Sequence, residues 1–326
     1  VATKALNRTS VAEFVLRTPA VGPALALLVA IVAFALTTDT FLRLDNLSLV
    51  VQQSLVVGTL ALGQTLVILT AGIDLANAAT AVLGTLLMAK LVLTGAPAPL
   101  ALLTGLVVAA GIGAATGGIV TSLRLPPFIV TLGTLTIVTA VSRIYADGQS
   151  FPVTDGLLGF LGTRQYLFGQ VEVTVGMGVA LAMFLVLWYA LTRTAWGKHV
   201  YAVGNDPEAA RLSGIHVRRT VLSVYLVAGI VYGIAAWQAL GRVPNADPNA
   251  FQTGNLDSIT AVVLGGTSLF GGRGSVLGTL VGALIVSVLR SGLTQAGIDS
   301  LYQDVATGVL VILAVAVDRF SRRRQR

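Results

Sequence analysis

Asp206, Pro207, Glu208, Arg211 and Gly214 are spaced as the working parts of one short helix with both ends marked. The Asp206 carboxylate can accept the first free N–H groups, and Pro207 fits the next position, where its missing N–H costs nothing. Gly214 supplies the left-handed residue that stops the helix. Glu208 in the first turn and Arg211 in the last carry the signs the helix dipole favours. Between the caps, Ala209, Ala210 and Leu212, with Ile215 just beyond, offer small side chains and one aliphatic knob. Such a peg reads as a docking element for another subunit, or as a capped helix lying on a membrane surface.

Other chemistry is hard to assemble. The chain has no Ser/His/Asp set, no HExxH and no DxDxD pattern, so no catalytic residue and no metal site is expected. With no cysteine, disulfides and thiolate chemistry are excluded. A phosphate loop needs GxxxxGK[ST], but the one Gly-Lys pair, Gly197-Lys198, is followed by His199. The cluster Gly271-Gly272-Arg273-Gly274 lacks the lysine and hydroxyl of a nucleotide site and reads as a helix break with a tight turn.

The elements that must position the peg are membrane helices. Of the 326 residues 55% are hydrophobic and 11% charged, against roughly 25% charged in a soluble domain, and the mean hydropathy is +0.85. Apolar runs of crossing length are expected at 21–38, 48–70, 75–94, 99–122, 127–144, 171–192, 217–240, 257–271, 275–292 and 301–317. The fold class is therefore all-α: a polytopic membrane protein of about ten helices, the eighth short, with broken or re-entrant helices around Gly265-Gly266 and Gly271-Gly272. The first run, preceded by Lys4, Arg8 and Arg17, reads as a retained anchor rather than a cleaved signal.

With the N-terminus inside, Arg43, Lys90, Arg143, Arg164, Arg242 and Arg290 fall on the outer side and the remaining 15 of the 21 Lys and Arg on the inner side. The positive-inside bias favours this orientation, with both termini cytoplasmic, the peg within an inner loop at 194–216, and the main outer loop at 145–170. It also accounts for the pI near 10.1 and for the basic tail Arg319 to Arg326 without nucleic acid.

Ion-driven carriers keep ionisable groups inside the bilayer; here Asp74, Asp257 and Lys90 fall near span ends, and Asp74 is expected to cap the third span. The interiors instead hold uncharged polarity: Gln52, Gln53, Gln64, Asn77, Thr131, Thr134, Ser258 and Thr260, together with Gln238. These could hydrogen-bond a neutral polyhydroxyl solute along a translocation path, and each also reads as interhelical glue. The pairs Gly113/Gly117, Gly229/Gly233 and Gly278/Gly282 put two small residues on one helix face for close packing. A charge-poor body with a capped peg on its basic side suggests a conduit driven by another polypeptide; a self-sufficient carrier or channel is the competing reading.

Glu208-Ala209-Ala210 followed by Gly214 resembles the EAA-xxx-G loop of bacterial ABC importer permeases, where that loop docks on the ATPase. The blocks Leu62 to Leu75, Pro126 to Thr134 and Asp257 to Ser275 add to the likeness, and the four together resemble the permease subunits of ribose, fructose and xylose type importers. Those relatives usually carry Ser after the Asp-Leu pair, where this chain has Ala76-Asn77. The resemblance implies one transmembrane permease domain over 1–326, multi-pass in the bacterial inner membrane and most simply a homodimer. It implies a cytoplasmic ATPase subunit holding ATP and Mg, a periplasmic substrate-binding protein, a pentose or hexose as solute, and no cofactor on this chain. Related permeases also serve nucleosides, branched-chain amino acids or a signalling furanose.

The absence of cysteine makes the orientation directly testable. Ser213→Cys should react with a membrane-impermeant maleimide only from the cytoplasmic side and Ser150→Cys only from outside; the reverse labelling would place the peg on the wrong face.

Overall fold

The computed structural model describes residues 21–167 and 171–323; Lys4, Arg8, Arg17, Arg324 and Arg326 lie outside them. Apolar surroundings offer no partners for backbone N–H and C=O groups, so long apolar segments close their hydrogen bonds internally as helices. Ten helices coincide with the ten expected spans: α1 (Val21–Thr37), α2 (Leu44–Leu69), α3 (Asn77–Leu93), α4 (Ala98–Leu123), α5 (Pro127–Ala146), α7 (Val175–Arg193), α10 (Val217–Arg242), α11 (Gly254–Leu264), α12 (Val276–Gln295) and α13 (Ser300–Arg323). Six of them, α2, α4, α5, α7, α10 and α12, are long and apolar enough to cross a membrane on their own, and the other four contain shorter apolar stretches. Short elements fill the connections: β1 (Phe151–Pro152), α6 (Gly156–Gly159), β2 (Arg164–Leu167), β3 (Val171–Thr174), α8 (Ala195–Asn205), α9 (Pro207–Leu212) and β4 (Asn245–Ala246).

Helices α2 and α10 form the centre, with Leu60, Leu62, Leu66, Tyr225, Tyr232 and Leu240 fully buried. Around them, α1, α4, α5, α7 and α13 expose Leu28, Leu103, Ile137, Val186 and Ile312 among many others. Apolar exposure on that scale marks a lipid-facing belt. The glycine pairs lie where backbones touch. Gly113 of α4 meets Gly229 of α10, whose Cα would sit 3.1 Å from an added Cβ, and Gly278 and Gly282 of α12 lie against the Gly265 and Ala261 carbonyls of α11 and its exit.

On the face carrying α8 and α9, the ends of α2, α4 and α7 meet the starts of α5, α10 and α12. At the opposite face β1 pairs antiparallel with β4 and β2 with β3. There the 145–170 segment is tied down by Trp237 Nε1 donating to Leu157 O (3.0 Å) and Lys90 Nζ donating to Tyr145 O (2.6 Å).

Two sequence expectations are corrected and one is extended. The eighth span ends at Leu264, not 271, because Gly266, Gly271 and Gly272 adopt positive φ (81°, 79° and 70°) and turn the chain back on itself. Asp74 does not cap the third span: the N-cap is Ala76, and Asp74 Oδ1 accepts the Ala76 N–H (2.8 Å) from within the preceding turn, buried. Asp257, in the first turn of α11, and Arg290, in the last third of α12, are near helix ends as expected but do not stand apart there: Asp257 is buried and ion-paired to Arg290.

A methyl added at Gly282 would run into the Ala261 carbonyl, whereas one at Gly118 would meet nothing within 4 Å. Gly282→Val should therefore cost about 1–3 kcal/mol through overpacking, and Gly118→Ala should be neutral or stabilising by up to about 1 kcal/mol. Thermal unfolding of both variants in detergent checks the contrast.

Candidate functional site

The peg is α9. Asp206, in an extended conformation (φ −157°, ψ 103°), accepts the N–H groups of Glu208 (2.9 Å) and Ala209 (3.0 Å) through Oδ1, and Pro207 opens the helix. Gly214, at φ +85°, lets Ile215 N–H reach Ala210 O and Gly214 N–H reach Arg211 O, both at 3.0 Å. That pair of bonds is the Schellman stop. Arg211 Nη2 lies 2.6 Å from Glu208 Oε1, and the guanidinium holds the exposed Glu208 carboxyl below its usual range. Ala210 turns inward and is buried, while Ala209 is exposed and Leu212 is 75% exposed. The aliphatic knob therefore stands clear of the body.

What carries the peg is α8, a helix the sequence reading did not separate from the 194–216 loop. Its signal was present: Thr194 caps it through Gly197 N–H (3.3 Å), and Gly197, Val200, Val203 and Gly204 recur at helical spacing along the buried face. Trp196 Nε1 donates to Ser223 Oγ (2.8 Å) and Tyr201 OH to Gly274 O (3.0 Å). At its end Gly204 lies so close to the Leu69 carbonyl that any side chain would collide with it, and Gly272 N–H donates to that same carbonyl (3.0 Å). The base of the peg, the end of α2 and the loop after α11 thus meet at one point. Beside the peg a groove of about 790 Å3 is lined by Arg124, Arg211, His216, Arg218 and Arg219.

The uncharged polar residues do not form one path. Gln64, Asn77, Thr131 and Ser258 close around the turn between α2 and α3. The Gln64 amide, oriented to donate to Asp74 O (2.9 Å) and accept Asp74 N–H (3.2 Å), brackets the turn from α2. Thr131 Oγ1 donates to Ile73 O (2.9 Å) from α5, and Asn77 Nδ2 donates to Ser258 Oγ (2.7 Å) of α11. Thr260 and Thr134 bond back to Leu256 O (2.6 Å) and Val130 O (3.0 Å) of their own helices. Gln52 and Gln53 stand apart, near the opposite face. Gln52 Nε2 donates to Glu172 Oε1 (2.9 Å), and Gln53 lines a cleft of about 500 Å3. Gln238 Oε1 accepts Thr59 Oγ1 (2.7 Å).

That cleft holds Arg242, Asp257, Arg290 and Asp304, all expected on the outer side. Arg290 Nη2 donates to Asp257 Oδ1 (2.8 Å), Thr253 Oγ1 (3.0 Å) and Asp304 Oδ1 (3.2 Å), joining α11, α12 and α13. Hydropathy conceals the cluster because Asp257, Arg290 and Asp304 are single charges within three separate apolar runs, and only their packing brings them together.

Residues 46–315 match the family described as "Branched-chain amino acid transport system / permease component". The chain belongs to this permease family. It is 41% identical over 318 residues to the fructose import permease protein of Rhizobium meliloti, covering 95% of this chain and 88% of that one. To the ribose import permease protein of Bacillus subtilis it is 36% identical over 299 residues, covering 91% and 92%. To the galactose/methyl galactoside import permease protein of Escherichia coli K12 it is 34% identical over 338 residues, covering 99% of each. No solved structure matches it. The chain is thus a non-catalytic, multi-pass subunit of the inner membrane, its helices the transmembrane body of a transporter. Permease components of this kind bind no cofactor of their own.

The cap geometry of α9 carries a local prediction. Asp206→Ala removes the acceptor of two N–H groups and should destabilise the peg by about 1 kcal/mol, with Asp206→Asn close to wild type. Faster hydrogen exchange confined to the amides of 208–212 in the alanine variant is the expected result.

Proposed function

We propose that this chain is the permease of an ATP-driven monosaccharide importer, moving a pentose or hexose of the ribose or fructose kind into the cytoplasm. Its relatives named for fructose, ribose and galactose match over nearly their full lengths. The single observation that carries the mechanism is the peg, with Leu212 exposed at its tip and Gly204 pressed on Leu69 at its base. In this reading the α8–α9 face is cytoplasmic, as the positive-inside bias favours, and a separate ATPase subunit holding ATP and Mg docks on 204–215. The basic groove beside the peg extends that docking face.

Closure of the ATPases displaces the peg. Gly204 and Asn205 abut Gly271 and Gly272, so the displacement passes to the loop that ends α11. An eleven-residue helix followed by glycine turns moves more freely than a full span, and near its start α11 carries the adjacent residues Ser258, bonded to Asn77, and Asp257, paired with Arg290. A motion at the inner face thereby travels the length of α11, from the glycine turns at its end to the two polar groups held near its start. The single domain spans 1–326, with a second copy of the chain completing the path and a periplasmic binding protein delivering solute to the face that bears 145–170. The family's description names branched-chain amino acids, which makes those solutes the second reading.

Replacing Leu212 and Gly214 together by Asp removes the knob and the helix stop. The variant should fold, because both residues are exposed, yet lose co-purification with the ATPase and lose uptake. An undiminished complex with normal uptake would refute the docking role. ATP-independent flux through the chain alone in liposomes would replace it with a channel.

A further inference from the structure

Between β4 and α11 the chain crosses the face opposite the peg as residues 247–253, and this short wall separates two cavities. Asn249, Phe251 and Gln252 line both of them: one of about 290 Å3 with Ala78 and Thr139 on its far side, and the cleft of about 500 Å3 with Gln53, Asp257 and Arg290. Phe251 holds a left-handed backbone (φ +54°). A bulky residue pays for that conformation in steric strain and keeps it only where its surroundings impose it, a condition concentrated at ligand-contacting sites. The wall is held at each end. Asp247 accepts Asn249 N–H through Oδ1 (2.8 Å) and Ala250 N–H through its carbonyl (3.0 Å). Phe251 O accepts Gly254 N–H (2.9 Å), and Thr253 Oγ1 accepts Arg290 Nη2 (3.0 Å). The side-chain amides of Asn249 and Gln252 are exposed and make no hydrogen bond among the described residues.

We infer that Asn249, Phe251 and Gln252 form a solute-contact site at the outer mouth, built for a neutral polyhydroxyl molecule. This rests on the reading of the chain as an import permease. A phenyl ring offers an apolar platform to the C–H face of a sugar ring, and two free amides beside it offer donors and acceptors to hydroxyls. The larger cleft adds Gln53 and Gln303, and its charges balance, Arg242 and Arg290 against Asp257 and Asp304. Arg290 is already engaged by both carboxylates, which leaves Arg242 as the cation of the cleft outside that cluster. Its volume lies within the range of small-molecule sites.

The test uses the full chain reconstituted in liposomes with its ATPase and binding protein, measuring ATP-driven uptake of labelled ribose and fructose beside leucine. Phe251→Leu, and separately the pair Asn249→Leu and Gln252→Leu, should each lower sugar uptake about tenfold with the thermal midpoint and ATPase co-purification of wild type. Phe251→Tyr should restore it. Wild-type uptake in Phe251→Leu would overturn the site while leaving the importer standing, and so would equal losses of uptake and thermal midpoint in both Phe251→Leu and Phe251→Tyr. Wild-type transport of leucine and neither sugar would overturn the monosaccharide reading and this site with it.

Discussion

The carbonyl of Leu69 is where the structure joins. It ends α2, the most buried of the six long apolar helices, accepts the N–H of Gly272 at 3.0 Å, and lies against the bare Cα of Gly204. Three segments far apart in the chain meet there with no side chain between them. Backbone contact of that kind is stiff, because packed interiors do not yield by fractions of an ångström without moving their neighbours. A force applied to the peg therefore reaches α2 and the loop after α11 without being absorbed by flexible side chains.

The same economy of side chains governs the rest of the body. Between apolar helices in lipid there is little hydrophobic drive to associate, so close packing of small residues and a few internal hydrogen bonds hold the bundle together. Gly113 against Gly229 joins α4 to α10, and Gly278 and Gly282 join α12 to α11. Polar contacts are concentrated at the turn between α2 and α3, clamped by Gln64, Thr131 and Asn77, and at the Arg290 cluster. Helix α11 takes part in both through Ser258 and Asp257. A short helix tied near its start by those polar contacts, with the glycine loop after its end seated against Leu69 and Gly204, is suited to pass a displacement along its length.

A buried ion pair is a poor source of stability in itself, since desolvation offsets most of the attraction. In the Arg290 cluster one guanidinium nitrogen of α12 is shared by a hydroxyl and a carboxylate at the start of α11 and a carboxylate of α13. Its value lies in fixing the relative positions of α11, α12 and α13 at the face opposite the peg, which in turn holds the wall that carries Phe251.

The sequence by itself determined the ten apolar spans, the broken eighth, the family resemblance and the capped peg, including the roles of Asp206, Pro207 and Gly214. All of these depend on local periodicity, on turn chemistry or on contiguous blocks of residues, which are written along the chain. Tertiary structure alone decided that Asp257, Arg290 and Asp304 form one cluster, that Gln64, Asn77, Thr131 and Ser258 clamp a single turn, and that Gly204, Gly272 and Leu69 share one contact. Each of these joins residues on separate helices. A lone polar residue in an apolar run has the same appearance whether it faces a partner or a pathway, and the angle at which two helices pack is what distinguishes them.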